Sequence, residues 1–101
     1  MTYDEAEKMV ADNLHLTSEY SKIPAFPFYL RHLFIAPIGA DSEVKSNVYN
    51  ACLSNGFNNK DALDSLGLAD KDYEVLIMGF DGKFTSPYPL EKYLEELQYK
   101  S

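Results

Sequence analysis

A turn signal near the end of the chain, Asp81-Gly82, most constrains what this sequence can fold into. It follows an apolar segment, Tyr73 to Phe80, whose side chains alternate between two faces, and it precedes Lys83-Phe84. Asp and Gly both tolerate the positive φ angles of a two-residue β-turn, so the pattern predicts two antiparallel strands joined by a tight hairpin. The chain is therefore not expected to be all-helical.

The segment from Phe28 to Ile38 is the candidate for a third strand. Pro27 precedes it, and Pro37 and Gly39 mark its end. Aromatic and branched side chains occupy both faces of the extended segment, which is typical of an interior strand covered on both sides. Periodicity alone also permits a short buried helix starting from Pro27, so the sequence leaves the choice between strand and helix open.

The first two helices are indicated by their capping residues. Thr2-Tyr3-Asp4-Glu5 matches the capping-box pattern, and apolar spacing continues the predicted helix to about Leu16. Asp41 or Ser42 caps a second helix, which presents one apolar stripe and ends at Asn55-Gly56. The stripe consists of Val44, Val48, Ala51 and Cys52.

Two shorter helical patterns complete the chain. Asn58 or Asn59 caps a third helix that Gly67 ends, and Pro89 suits the first position of a last helix with an apolar face. The order α-β-α-α-β-β-α predicts an α+β fold, with a small three-stranded, mainly antiparallel sheet packed with about four helices. We expect residues 1–101 to form a single acidic domain, since this length fits one core.

The charge of the chain restricts its partners. Sixteen acidic residues against nine basic ones give a formal net charge of −7. Direct binding to nucleic acid or to an anionic membrane is not expected, because both depend on lysine and arginine. The surplus is compatible with solubility alone or with a protein partner that has a basic surface.

The expected location is the cytoplasm, or the host cytoplasm if a virus encodes the protein. The single cysteine rules out an intramolecular disulfide, which fits a reducing compartment. The N-terminal residues are acidic rather than the basic start of a signal peptide. The most apolar stretch, Phe26 to Ile38, is too short and too interrupted to span a bilayer.

Residues able to bind metals or act as nucleophiles are few. His15, His32 and Cys52 do not form the close-spaced pairs of a structural zinc site, and Cys52 lies on an apolar helix stripe, where cysteine is usually inert. We therefore predict no metal, no cofactor and no enzymatic activity.

Asp64-Ser65-Leu66 resembles the signature at which acyl carrier proteins receive a phosphopantetheine arm. That resemblance implies an all-helical domain in which Ser65 begins a long helix, and it gives a remote alternative, an acyl-carrier-like protein.

The eight tyrosines exceed what a core this small can enclose, so several are expected at the surface beside carboxylates. We predict a non-enzymatic binding module, of the inhibitor or immunity type, that docks on a basic surface of a nucleic-acid-binding partner. Anti-CRISPR and toxin-immunity proteins are analogous in size and charge only. The alternative is a small homo-oligomeric structural or regulatory domain that associates through the Phe28–Ile38 segment or through an exposed sheet edge. The predicted partner-binding residues are Asp4, Glu5, Glu7, Asp12, Glu19, Tyr20, Asp72, Tyr73, Asp81, Tyr88, Glu91, Tyr93, Glu95, Glu96 and Tyr99.

Overall fold

A three-stranded antiparallel sheet lies at the centre of the fold. The computed structural model describes residues 1–14, 30–68, 72–79 and 82–90 together with residues 92 and 95. Strand β1 spans Leu30–Pro37, β2 spans Tyr73–Gly79 and β3 spans Phe84–Thr85, in the spatial order β1-β2-β3. With four helices in the order α-β-α-α-β-β-α, the described residues confirm the predicted α+β fold.

The segment that sequence left open between strand and helix is a strand. Both of its faces are covered, because Phe34 and Ile35 are neighbours on opposite faces and are 1% and 2% exposed. The predicted interior position is wrong for the described strands, since β2 lies in the centre and β1 at one side. The register also shifts between Leu30 and His32, which interrupts the strict alternation predicted from Phe28. Residues 28 and 29 lie outside the described residues.

The outer side of β1 is occupied at Ile35 by the side chain of Asn59. The amide oxygen of Asn59 accepts a hydrogen bond from the Ile35 N–H, and its Nδ2 donates to the Ile35 carbonyl at 2.8 Å. Because an antiparallel strand directs alternate residues to opposite sides, Pro37 faces the same way as Ile35. Pro37 has no N–H, and its carbonyl accepts from the Ala40 N–H at 3.3 Å.

The first helix, α1, spans Tyr3–Asp12 and begins with the predicted capping box. The Glu5 N–H donates to the Thr2 hydroxyl at 3.2 Å, and the Thr2 N–H donates to the Glu5 carboxylate at 3.1 Å. The prediction that the helix continues to Leu16 is wrong. Asn13 is its C-cap, with both its backbone N–H and its side-chain Nδ2 bonded to the Met9 carbonyl. An asparagine that bonds backbone in this way competes with helix continuation.

Helices α2, Ser42–Ser54, and α3, Asn59–Ser65, follow β1. Asp41 and Asn58 are their N-caps. Gly56 and Gly67 have φ angles of +64° and +69°, so both helices end with the predicted left-handed glycine. The apolar stripe of α2 faces the core through Val48 and Cys52.

The hairpin forms as predicted, but its turn begins earlier: the Gly82 N–H donates to the Gly79 carbonyl at 3.1 Å, and the Gly79 N–H donates to the Lys83 carbonyl at 2.9 Å. The pairing of β2 with β3 confirms the antiparallel hairpin, and Gly82 has a φ of +83°.

Helix α4 begins at residue 87 rather than at Pro89, and residues 87–90, 92 and 95 are helical. Pro87 and Pro89 both lie in its first turn. A backbone N–H in the first turn of a helix has no intrahelical acceptor, so a proline, which lacks this N–H, is tolerated there. The buried Leu90 donates its N–H to the Ser86 carbonyl at 3.3 Å.

Candidate partner-binding surface

Helix α1 carries the densest group of exposed carboxylates among the described elements. We call these four residues the acidic ridge: Asp4, Glu5, Glu7 and Asp12, all exposed. The only basic residue in the helix is Lys8, whose Nζ lies 3.9 Å from Asp12 Oδ2. Since both side chains are mostly in water, this ion pair is weak, and four carboxylates against one ammonium leave the side chains of the helix with a net charge of −3.

The buried side of α1 fixes the ridge to the sheet. Ala6 is fully buried in the core, and the Tyr3 ring packs edge-on against Tyr73 with centroids 6.0 Å apart. The backbone of Met1 pairs with β2: the Tyr73 N–H donates to the Met1 carbonyl at 2.9 Å, and the Met1 amino group donates to the Tyr73 carbonyl at 3.2 Å. The chain start therefore holds α1 at the end of β2 where β3 does not reach.

An open groove of about 610 Å³ lies between α1 and the turn that joins α2 to α3. We call it the Phe57 groove. Asp4 and Glu7 of the ridge line one side, and Phe57 and Lys60 line the other. Its apolar lining includes Tyr3, Val10, Leu33 and Ile35. Carboxylates and aromatic carbon are thus combined around one concave surface.

The backbone of Phe57 is strained and its ring faces water. Its φ of +65° lies in the left-handed region, which is unfavourable for a residue with a Cβ. The Phe57 N–H donates to the Cys52 carbonyl at 2.8 Å, which holds this conformation at the end of α2. The side chain is 53% exposed, and its ring contacts the His32 ring at a centroid distance of 4.3 Å. His32 Nδ1 in turn shares a 2.9 Å hydrogen bond with the Tyr49 hydroxyl.

A second groove, of about 390 Å³, runs along the opposite side of α1. We call it the Tyr88 groove. Glu5, Lys8, Met9 and Asp12 line it from α1, and Tyr88 lines it from α4. The Tyr88 side chain is 60% exposed. An exposed aromatic residue therefore stands beside carboxylates on each side of the ridge.

Two ionisable groups of α1 have shifted pKa values. Burial, followed by the neighbouring Glu7 carboxylate, raises the pKa of Tyr3, so its hydroxyl stays protonated beside the ridge. The backbone and hydroxyl hydrogen bonds of Thr2 lower the pKa of Glu5, so its carboxylate stays ionised. At neutral pH the Glu5 side chain thus contributes negative charge while it caps the helix.

The structure brings together some of the predicted partner-binding residues. Asp4 and Glu7 meet in the Phe57 groove, whereas Glu5, Asp12 and Tyr88 meet in the Tyr88 groove. Asp72 and Glu95 are exposed but line neither groove. Seven predicted residues lie outside the described residues: Glu19, Tyr20, Asp81, Glu91, Tyr93, Glu96 and Tyr99.

Among the predicted partner-binding residues Tyr73 is buried, and the exposed Phe57 is missing from the prediction. Tyr73 is 3% exposed, and its hydroxyl donates to the Leu68 carbonyl at 2.6 Å, so its side chain belongs to the core. Sequence reasoning misses Phe57 because Asn55-Gly56 indicates only a helix end. No local signal indicates its exposure, because an apolar residue directly after such a left-handed glycine commonly packs back on the last turn of the helix.

Two of the residues considered for chemistry, Cys52 and Ser65, have structural roles in this fold, and His15 lies outside the described residues. Cys52 is buried, with its Sγ 3.9 Å from Asn59 Oδ1. Ser65 is the last residue of α3, and its hydroxyl donates to the Ala62 carbonyl at 2.8 Å. The all-helical fold implied by the Asp-Ser-Leu resemblance is therefore not the fold of this chain, and Ser65 ends a short helix rather than beginning a long one. Within the described residues, no cluster of histidine, cysteine or carboxylate groups could hold a metal ion.

Cys52 is expected to resist thiol reagents in the native protein. Burial raises the pKa of its thiol, so at neutral pH it lacks both the thiolate form and access to reagent. With Ellman's reagent at pH 7.5, we expect labelling to be slower than in urea-unfolded protein by roughly 10²-fold or more, because reaction requires the core to open. Equal rates in the two states would contradict the burial.

Comparison with known proteins gives no relative: no family model, no curated protein and no solved structure matches the chain. In the part of the chain that the structure describes, no helix is both long and apolar enough to cross a membrane.

Proposed function

We propose that this chain is a non-enzymatic protein-binding module that docks through the acidic ridge of α1 onto a basic surface of a larger partner. The observation that supports the proposal most is the combination of the ridge with an exposed aromatic side chain on each side of it, Phe57 and Tyr88. Protein interfaces favour aromatic anchors, and complementary charge guides the two surfaces together.

A nucleic-acid-binding protein is the class of partner that this surface suits best. Such proteins collect lysine and arginine on one face in order to neutralise phosphates. A rigid helix that displays four carboxylates can occupy that face and block it, which is how an inhibitor or an immunity factor would act. The ridge is well suited to this because the capping box and the Met1–Tyr73 pairing fix its position before binding.

The proposal predicts a partner whose capture depends on the ridge and on salt. Affinity capture followed by mass spectrometry would compare the wild-type chain with Glu7→Gln/Asp12→Asn. Removing two interface carboxylates should weaken binding by about tenfold, and raising the salt from about 50 to about 500 mM should weaken the wild type similarly, because exposed charges are screened. The control is Glu43→Gln/Asp61→Asn, which removes the same charge from exposed positions outside both grooves.

The expected result is one protein that the wild type and the control retain at low salt and that the ridge variant loses. Recovery of no partner at low salt, or equal recovery by the ridge variant, would overturn the proposal.

A further inference from the structure

We propose that the Phe57 groove is a receptor for an arginine side chain of the partner. This inference rests on the proposed function and specifies which group of a basic surface enters the groove. Its starting point is the arrangement of one concave site: carboxylates on the α1 side, an exposed aromatic ring on the opposite side, and an apolar floor between them.

Each part of the groove matches one part of an arginine. The apolar floor formed by Leu33 and Val10 suits the aliphatic stem, which arginine buries while its charged end remains at a polar rim. The carboxylates of Asp4 and Glu7 can accept the N–H groups of the guanidinium, and such charge-assisted hydrogen bonds are about twice as strong as neutral ones.

Phe57 favours arginine over lysine. A planar guanidinium stacks on an aromatic face, whereas the compact ammonium of lysine is more strongly hydrated and stacks less well. The Phe57 ring is available for this contact because 53% of its side chain is exposed. Its contact with His32 supports the ring on the protein side.

Lys60 is the internal competitor for this site. It lines the same groove as Asp4 and Glu7, so the three charged residues give the lining a net charge of −1. An incoming arginine must share the carboxylates with the Lys60 ammonium. Removing that ammonium should therefore strengthen binding, an effect opposite in sign to removing a carboxylate.

The test uses fluorescein-labelled hexa-arginine and hexa-lysine peptides as probes, titrated into the full chain at about 50 mM salt, where screening is weak, and followed by fluorescence anisotropy. The wild type should bind hexa-arginine about threefold more tightly than hexa-lysine, the size of an exposed cation–aromatic contact. Phe57→Ala should abolish that preference, Asp4→Asn/Glu7→Gln should weaken both peptides, and Lys60→Gln should strengthen both. Leu53→Ala and Lys92→Gln are controls at exposed positions outside the groove.

Phe57→Gly removes the ring by a second substitution, to a residue that adopts the left-handed backbone without strain. Thermal melting checks that each variant is folded. Equal affinity of the wild type for the two peptides, or an arginine preference that survives in both Phe57 variants, would overturn the inference. In that case the capture experiment still decides the proposed function separately, because it measures recovery of a partner rather than preference for arginine, and its variants leave Phe57 unchanged.

Discussion

Replacing Phe34 by alanine is expected to destabilise the protein by about 3–5 kcal/mol, the usual cost of removing a buried phenylalanine from a core. Phe34 is 1% exposed and lies at the junction of three elements. Its ring on β1 lies 5.4 Å from the ring of Tyr49 on α2 and 5.5 Å from that of Phe84 on β3. The substitution removes these aromatic contacts and leaves a cavity between the sheet and α2.

Urea denaturation followed by circular dichroism measures this loss. Domains of this size are stable by only about 5–15 kcal/mol, so the midpoint should fall steeply. Phe57→Ala is the matched control, because the same side chain is removed from an exposed position. Its effect should stay within about 0.5 kcal/mol, as for most surface substitutions. A Phe34→Ala variant that loses less than about 1 kcal/mol would contradict the packing of β1 against α2.

The features that sequence predicts best depend on neighbouring residues alone. The capping box of Thr2 and Glu5 joins groups three positions apart, so the local pattern contains all the information needed. The left-handed glycines Gly56 and Gly67 are also local, because only the backbone conformation after each helix selects them. The hairpin belongs to the same class, since two turn residues determine which segments pair.

The features that sequence misses depend on contacts between distant residues. Nothing near Phe28–Ile38 indicates that β2 takes the central place in the sheet, because strand order depends on how the whole chain folds back. The residue type of Tyr73 predicts a surface position, yet Leu68 and Met1 enclose it. The candidate site shows the same division: the charge of α1 is visible in sequence, whereas its pairing with Phe57 requires the turn after α2 to be placed beside it.

Asn59 is the second residue for which we expect a large effect, although sequence suggests for it only a helix cap. Asn58 takes the capping role, and the Asn59 amide is bonded to the N–H and carbonyl of Ile35, 24 positions away. Asn59→Ala should cost about 2 kcal/mol, because it leaves the N–H and the carbonyl of a buried strand residue without their hydrogen-bond partner. Asn50→Ala, at an exposed position of α2, is the control and should change stability by less than about 0.5 kcal/mol.

Hydrogen exchange separates this mechanism from a general loss of stability. Ile35 directs its N–H away from β2, so in Asn59→Ala its amide should exchange much faster than those of Phe34 and Ala36, which bond to β2. Uniform acceleration of all three amides would contradict the role assigned to Asn59.

Loss of the Asn59 side chain should also promote self-association, because the backbone groups freed at Ile35 can pair with a strand of a second copy. Light scattering should therefore detect more self-association in Asn59→Ala than in Asn50→Ala. Asn59 thus opposes, at Ile35, the edge-to-edge pairing that a homo-oligomeric form of this domain would use.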